Sequence, residues 1–474
     1  MDWFLLFFNM DLVQWLCDWT NENAEIMRAD RPSYAKDWTD VDPPTMLRFF
    51  ALLMYMGIVH VPNVEKYWCT DSLYHGLWAR AFMSRDRFKQ ILCFLKTASP
   101  GRVVNPNDKL DKIRLLFDLI RRRSIKYFTP NQNVAIDERM VRNKGRYAFR
   151  QYIKDKPTKW GMKIWVLADS ETGYSCDFSV YLGKDTKSSI FGLAYDVVMN
   201  LVKSLGRQGY NIFFDNFYTG VQLLRDLLAK GFGACGTVRT NRKGFPECLK
   251  DSKKWEKRSH RGDMRWHRDR DILTVQWRDN KTVTVMSTIH SGSKFSEASR
   301  RCKENGQFKQ YTVKQPYVIK DYNKYMSGVD RSDQMIGRYN MLRKTNKWWK
   351  TLFFHLIDIA RVNSFILFQN FREQNQDIPE LKRKKRYSQL EFTEELIRGL
   401  AQLSLHDEIP SFNVRRITCC HSLTPVFTDV KRNCKLCYAK EKKERKSRVK
   451  CASCDTYLCF NGQKNCLLEY HSSN

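Results

Sequence analysis

Residues 211–220, NIFFDNFYTG, run three apolar residues straight into Asp215 and then surround that acid with aromatics. An ionised carboxylate at the end of a buried strand is costly in low dielectric unless it is paired or binds a cation. A fold that accepts this stretch must therefore bring compensating charge to the strand end. AIDERM, residues 135–140, repeats the design, with an apolar run that leads into Asp137. Strand patterning covers 131–140 and 161–183, the latter as two runs joined by a polar turn at Gly173, which predicts a hairpin. Helical periodicity over 188–209 ends on glycine and is followed by the strand before Asp215, a helix over 220–231 and a strand over 233–240. This order predicts an α/β layer with a mixed sheet.

Apolar residues at three-and-four spacing in DLVQWLCDWTNENAEIM and PTMLRFFALLMYMGI predict helices across 1 to about 130, with Pro43 and Pro44 at a helix start. Residues 241–310 turn rich in Lys, Arg and Trp, with one β pair around WRDNKTVTV, and read as an insertion. Helices are expected at 319–341 and 348–368, where Trp348 and Trp349 read as core anchors. With 82 Lys plus Arg against 51 Asp plus Glu, the formal charge of +31 attracts polyanions, so nucleic acid is the leading partner class. The dense apolar stretch 47–59 is shorter than the roughly 20 residues a membrane span needs and reads as a core helix, so no membrane partner is expected. The opening MDWFLLFFNM has no basic leader region, so secretion is not expected either. The 15 cysteines then sit in a reducing compartment, where clustering points to metal rather than disulfides. Cys17, Cys69, Cys93 and Cys176 stand singly and read as small buried hydrophobes.

Three acids stand at strand or helix ends: Asp137, Asp215, and Asp330 in GVDRSD. Two such acids on neighbouring strands can converge, and a third on a helix packed at the sheet would complete a pocket for two Mg²⁺ ions about 3.5–4 Å apart. Oxygen ligands without a nearby histidine favour Mg²⁺ or Mn²⁺ over zinc. Asp333, three residues after Asp330, lies on the same helical face as a fourth ligand or an orienting group. The competing reading of any one of these residues is a turn former or helix cap.

Six cysteines fall in the last 41 residues: Cys434, Cys437, Cys451, Cys454, Cys459 and Cys466, with His471 following. Two Cys-x-x-Cys pairs each turn a knuckle that presents two thiolates to a tetrahedral ion, and these seven ligands predict two Zn²⁺ sites. His421 is the expected eighth ligand, with Cys419, Cys420 and water as alternatives. In a cross-brace, Cys434 and Cys437 share one ion with the third pair of ligands, and Cys451 and Cys454 share the other with the fourth. Basic runs at 382–386 and 439–450 read as phosphate contacts or solvated charge, and the first also as a nuclear localisation signal.

AIDERM, KPTKWGMKIWVLADSETGY, FFDNFYTG and YNKYMSGVDRSDQM, followed by RKTNKWW, occur in an order that resembles the piggyBac transposase family from about WTNENAEIM to the C-terminus. The resemblance implies an RNase H-like core in which Asp137, Asp215 and Asp330 bind the catalytic metals, with Asp333 as an additional acid. It also implies the partition 1–130 helical dimerisation and DNA binding, 131–240 core, 241–310 insertion, 311–338 final core helix, 339–410 the second helical part, and 419–474 a zinc-binding tail. The two helical parts should pack together. The implied activity is cut-and-paste transposition at TTAA on double-stranded DNA with terminal inverted repeats, by a nuclear homodimer. The long acidic leader usual in the family is absent here, which fits a truncated gene model or a domesticated descendant. Such a descendant would be a nuclear DNA-binding protein without transposition. A ubiquitin ligase or histone-tail reader built on the tail is the third reading.

Overall fold

A computed structural model describes residues 1–30, 37–69, 72–74, 76–154, 156–183, 190–206, 208–304, 306–341, 345, 347–382, 387–403, 425–452, 454–461 and 464–472. The basic run 383–386 and residues 419–421 lie outside these. The chain forms two compact units, residues 1–69 with 77–405, and residues 70–76 with 406–474.

In the larger unit, α1 (Asp2–Leu5), α2 (Met10–Asp30), α3 (Pro43–Ile58), α4 (Ala79–Phe82), α5 (Arg85–Phe94) and α6 (Arg114–Tyr127) precede the sheet. Asp42 caps α3 by accepting from the Thr45 N–H at 2.9 Å, with proline in the first turn where its missing N–H costs nothing. Strands β1 (Asn133–Arg142), β2 (Gln151–Tyr152), β3 (Trp160–Asp169) and β4 (Ser175–Val180) come next, then α7 (Leu193–Val202), β5 (Asn211–Phe214), α8 (Val221–Ala229) and β6 (Gly233–Thr237). After α9 (Ser252–Arg258) follow β7 (Met264–Asp269), β8 (Ile272–Arg278), β9 (Thr282–Ser287), β10 (Phe295–Glu304) and β11 (Gln307–Pro316). The unit closes with α10 (Tyr317–Tyr325), α11 (Gly328–Arg338), α12 (Trp348–Gln374) and α13 (Gln389–Ala401).

The main sheet runs β2-β3-β1-β5-β6-β9-β8-β7, with β4 also on β3. The pairs β1–β5 and β5–β6 are parallel and the others antiparallel, so the sheet is mixed. Helix α8 is the crossover that the parallel β5–β6 pair requires. The stretch read as an insertion gives β7, β8 and β9 to this same sheet, through Cys235 opposite Ser287, while β10 and β11 form a separate two-stranded ribbon. The predicted hairpin is β3–β4. Gly173 sits in its turn at φ +78°, and a Cβ there would stand 3.1 Å from the Ser332 backbone nitrogen, so the turn and the approach of α11 both require glycine.

Helices from before and after the sheet pack together: α3 on α13 and α2, α1 and α6 on α12. Of the four lone cysteines read as buried, Cys17 and Cys176 are, but Cys69 and Cys93 are half-buried because each sits at the edge of its element. Trp349 is buried, and Trp348 packs its ring 5.1 Å from that of Phe149. By length and composition α12 could cross a membrane, yet 89% of its most apolar stretch is inside the protein, so it is a core helix. It also carries polar groups into the core. Asn363 exchanges hydrogen bonds with the Ser175 backbone, donating and accepting at 3.0 Å, and Asn143 donates to Thr351 Oγ1 at 2.6 Å. Asp358 and Arg361, both fully buried, pair at 3.3 Å, and the second Asp358 oxygen accepts the Met341 N–H.

Asp358→Asn would strand a guanidinium that cannot shed its proton. The expected loss is about 3–5 kcal/mol in denaturant unfolding, and a loss under about 1 kcal/mol would show that water reaches the pair. Lys350 tests the same interior with the opposite sign. Burial, with help from Lys347 and Lys96, lowers its ammonium to about 8, below the ordinary 10.5. Between these values the unfolded chain holds more protons than the folded one, so stability should rise with pH over that window. Lys350→Met should flatten that rise in melting curves.

Candidate functional site

Strands β1 and β5 run parallel with Ile136 opposite Phe214, so Asp137 and Asp215 come next side by side. Asp215 follows the end of β5 as expected, but Asp137 is not at a strand end, because β1 continues to Arg142 with Asp137 still paired to Val166 of β3. Both are half-buried. Asp215 does form a turn, accepting the Phe217 N–H at 2.8 Å, so the bland reading of this residue is also true of it. Asp330 lies in the first turn of α11 and is exposed. Gly328 lets that helix dock, since a Cβ there would stand 3.2 Å from the Ala135 Cβ on β1 and 3.0 Å from the Asp169 carbonyl oxygen. Asp333 turns instead to Arg139, with which it forms an ion pair, while Arg139 also donates to Ser332 Oγ at 2.8 Å.

Burial, then the neighbouring Glu138 carboxylate, pushes Asp137 up to about 8, against the pull of Lys156. Burial likewise raises Asp215, opposed by the Phe217 N–H. Burial alone would lower Lys156, but the charges of Asp137, Glu138, Asp330 and Asp333 outweigh it and hold its ammonium above the ordinary range. One cation thus senses Asp137, Asp330 and Asp333 together. Lys156 Nζ stands 3.7 Å from the Glu138 carboxylate. A cavity of about 1110 Å³ opens beside Glu138, lined among others by Arg139, Lys156, Asp330, Asp333 and His355, while Asp137 and Asp215 are not part of its lining. Among the described residues no three carboxylates place oxygens within 4.8 Å of one another, so the acids are neighbours rather than a closed cage. The donor set is hard oxygen with excess negative charge, which fits Mg²⁺ or Mn²⁺ and leaves room for water or phosphate oxygens in the coordination shell.

Reading the sequence for acids missed the cations. Arg139 lies two residues after Asp137 on the same strand face, so a search for basic residues flanking each acid would have found it, whereas Lys156, in KPTKWG, flanks none of them and gives no such signal. Lys163 was missed too; its ammonium stacks 3.8 Å from the Trp165 ring centroid.

The smaller unit pairs β12 (Pro425–Asn433) with β13 (Lys446–Cys451) and adds α14 (Lys435–Glu441) and α15 (Cys466–Ser472). Cys434, Cys437, Cys459 and Cys466 gather as one group that could hold a metal ion, and Cys451, Cys454 and His471 as a second. Cys437 Sγ lies 3.6 Å from Cys466 Sγ, and Cys454 Sγ 3.7 Å from His471 Nε2. The Cys459 N–H points at Cys434 Sγ from 3.3 Å. Ligands separated by the second knuckle therefore join the first, the interleaving a cross-brace requires. His421, expected as the eighth ligand, and its alternatives Cys419 and Cys420 lie outside the described residues.

Residues 1–365 match the family model described as Transposase IS4. The chain is 31% identical over 346 residues to human PiggyBac transposable element-derived protein 3, covering 71% of this chain and 57% of that protein. It is 28% identical over 375 residues to human PiggyBac transposable element-derived protein 2, covering 77% and 60%. The match thus spans little more than half the length of these relatives. Among solved structures, a piggyBac transposase in a synaptic complex with hairpin DNA aligns with TM-score 0.71 and 25% identity, over 96% of this chain and 94% of that one.

If the gathered thiols hold metal, the tail cysteines of the purified protein should resist a thiol reagent until a chelator is added, then react together. Immediate reaction of all of them in untreated protein would show that no metal is held.

Proposed function

This chain belongs to the piggyBac transposase family, and we propose that it is a cut-and-paste DNA transposase acting at TTAA, with an RNase H-like core and Asp137, Asp215 and Asp330 as the ligands of catalytic Mg²⁺ or Mn²⁺. The observation that carries the reading is the adjacent placement of Asp137, within β1, and Asp215, just past the end of the parallel β5, beside α11, whose first turn bears Asp330. A divalent ion held there supplies activation of a nucleophile and stabilisation of the leaving oxygen in phosphodiester cleavage. The chain's own residues hold the site in shape. Arg139 ties Asp333 and Ser332 of α11 to β1, and Lys156 balances the acids so that they can stay close. The formal +31 draws double-stranded DNA, including terminal inverted repeats, to the surface. The two cysteine-rich groups hold Zn²⁺, which thiolate and imidazole ligands favour, and thereby fold the tail. The protein works as a nuclear homodimer.

The human relatives are named as derived from transposable elements, which favours a second reading: a nuclear DNA-binding protein that keeps the fold but does not cut. The two readings separate on a duplex that carries a TTAA-flanked transposon end. Divalent-dependent nicking is expected, and Asp215→Ala should lower its rate by at least about a thousandfold, the scale on which electrostatic stabilisation of such a reaction acts. Salt-sensitive binding without nicking would select the second reading, and undiminished nicking by the Asp215 variant would exclude the proposed ligands.

A further inference from the structure

A second cavity, of about 350 Å³, opens in the larger unit and shares no lining residue with the acid pocket. Lys96, Lys112 and Lys347 line it, together with Ser99, Arg102, Asp111 and Trp348. Asp111 is the acidic residue in that lining, and it is already taken: Arg102 holds both its oxygens, at 2.9 and 2.6 Å, and the Asn105 N–H donates to it at 3.2 Å. Among the described residues no carboxylate pairs with the three lysines. Burial, and then the nearby charges of Lys347 and Lys112, lower Lys96. Lys350, one turn into α12 and almost wholly buried, adds a fourth ammonium behind them, its Nζ donating to the Leu92 carbonyl.

Cations arranged this way repel one another at a cost that solvated, separated lysines avoid. The walls are built rather than loose. Glu22 ties the 99–101 loop by accepting from Ser99 Oγ at 3.0 Å and from the Gly101 N–H at 3.0 Å, and Thr97 Oγ1 donates to the Lys112 carbonyl at 2.6 Å. The far wall is the start of α12, with Lys347, Trp348 and Trp349. What relieves the repulsion in such a cavity is an anion of phosphate size.

We propose that this cavity seats a backbone phosphate of bound duplex DNA, away from the cleavage site, and so fixes the register of the larger unit on its substrate. The proposal rests on the DNA-binding reading above. A phosphate contact carries affinity and position but no sequence information.

The test is binding of full-length protein to two duplexes of unrelated sequence, followed by fluorescence anisotropy across a salt series. The variants are Lys112→Gln, at an exposed position where folding is not at stake, and the pair Lys96→Gln with Lys347→Gln. When the cavity no longer grips its phosphate, the slope of log affinity against log salt should become shallower by about 1 on both duplexes alike, with weaker binding at low salt and unchanged melting curves. Wild-type binding with the same slope in every variant would overturn the proposal, as would weakening on one duplex only. Failure of the wild type to bind any duplex is a different result, and sinks the DNA-binding reading together with this site.

Discussion

The structure depends on burying a polar helix inside an apolar core. α12 brings Thr351, His355, Asp358, Arg361, Asn363 and Ser364 into the interior, where each unpaired group would cost more than an apolar residue of the same size. The return is directional. Asn363 grips β4 at Ser175, Thr351 meets Asn143 just beyond β1, and Asp358 holds the Met341 backbone in the link from α11. Apolar packing would let these elements slide by fractions of a residue. Hydrogen bonds at fixed geometry do not, and the placement of α11 against β1 decides how near Asp330 comes to Asp137.

Around the acids the same logic runs in reverse. Parallel pairing of β1 with β5 sets two carboxylates at adjacent positions, Asp137 within β1 and Asp215 just past the end of β5, and burial drives both toward protonation. Lys156 and Lys163 offset part of that cost and Arg139 neutralises Asp333, but these three cations are set against five carboxylates, Asp137, Glu138, Asp215, Asp330 and Asp333. A cluster left this electronegative by its own fold is poised for divalent cations, whereas a fully neutralised one would be a structural ion-pair network.

Much of this was legible in the residues. Asp137 and Asp215 announce themselves because each ends an apolar run, and one-dimensional pattern is enough to see it. The hairpin through Gly173 and the mixed sheet follow from period and punctuation. The tail was legible because Cys-x-x-Cys pairs are local. Pairings between distant segments were not legible: that β9 would dock on β6 and draw the basic segment into the main sheet depends on edge exposure, which no local pattern encodes. Nor could Arg139 be assigned to Asp333, since their approach is made by the close packing at Gly173 and Gly328. The length of α12 was underestimated because its last turns, Gln369–Gln374, read QNFREQ and lie beyond the apolar run that marks a core helix.

The chain's charge distribution poses a problem that the two cavities answer together. A formal +31 draws a polyanion from a distance, but the lining of the larger cavity mixes both signs, Glu138, Asp330 and Asp333 with Arg139, Arg142, Lys144 and Lys156, and so gives a phosphate no single-signed grip. Attraction at long range brings the substrate near without giving it a position, which cations fixed elsewhere on the same compact unit can supply. The lysines beside Trp348 are such a fixed point, anchored by the same α12 whose interior bonds set the geometry of β1 and β4. Grip and chemistry are then linked through one helix, so a phosphate seated at its start is registered against the acids through the hydrogen bonds that α12 makes to Asn143 and to β4.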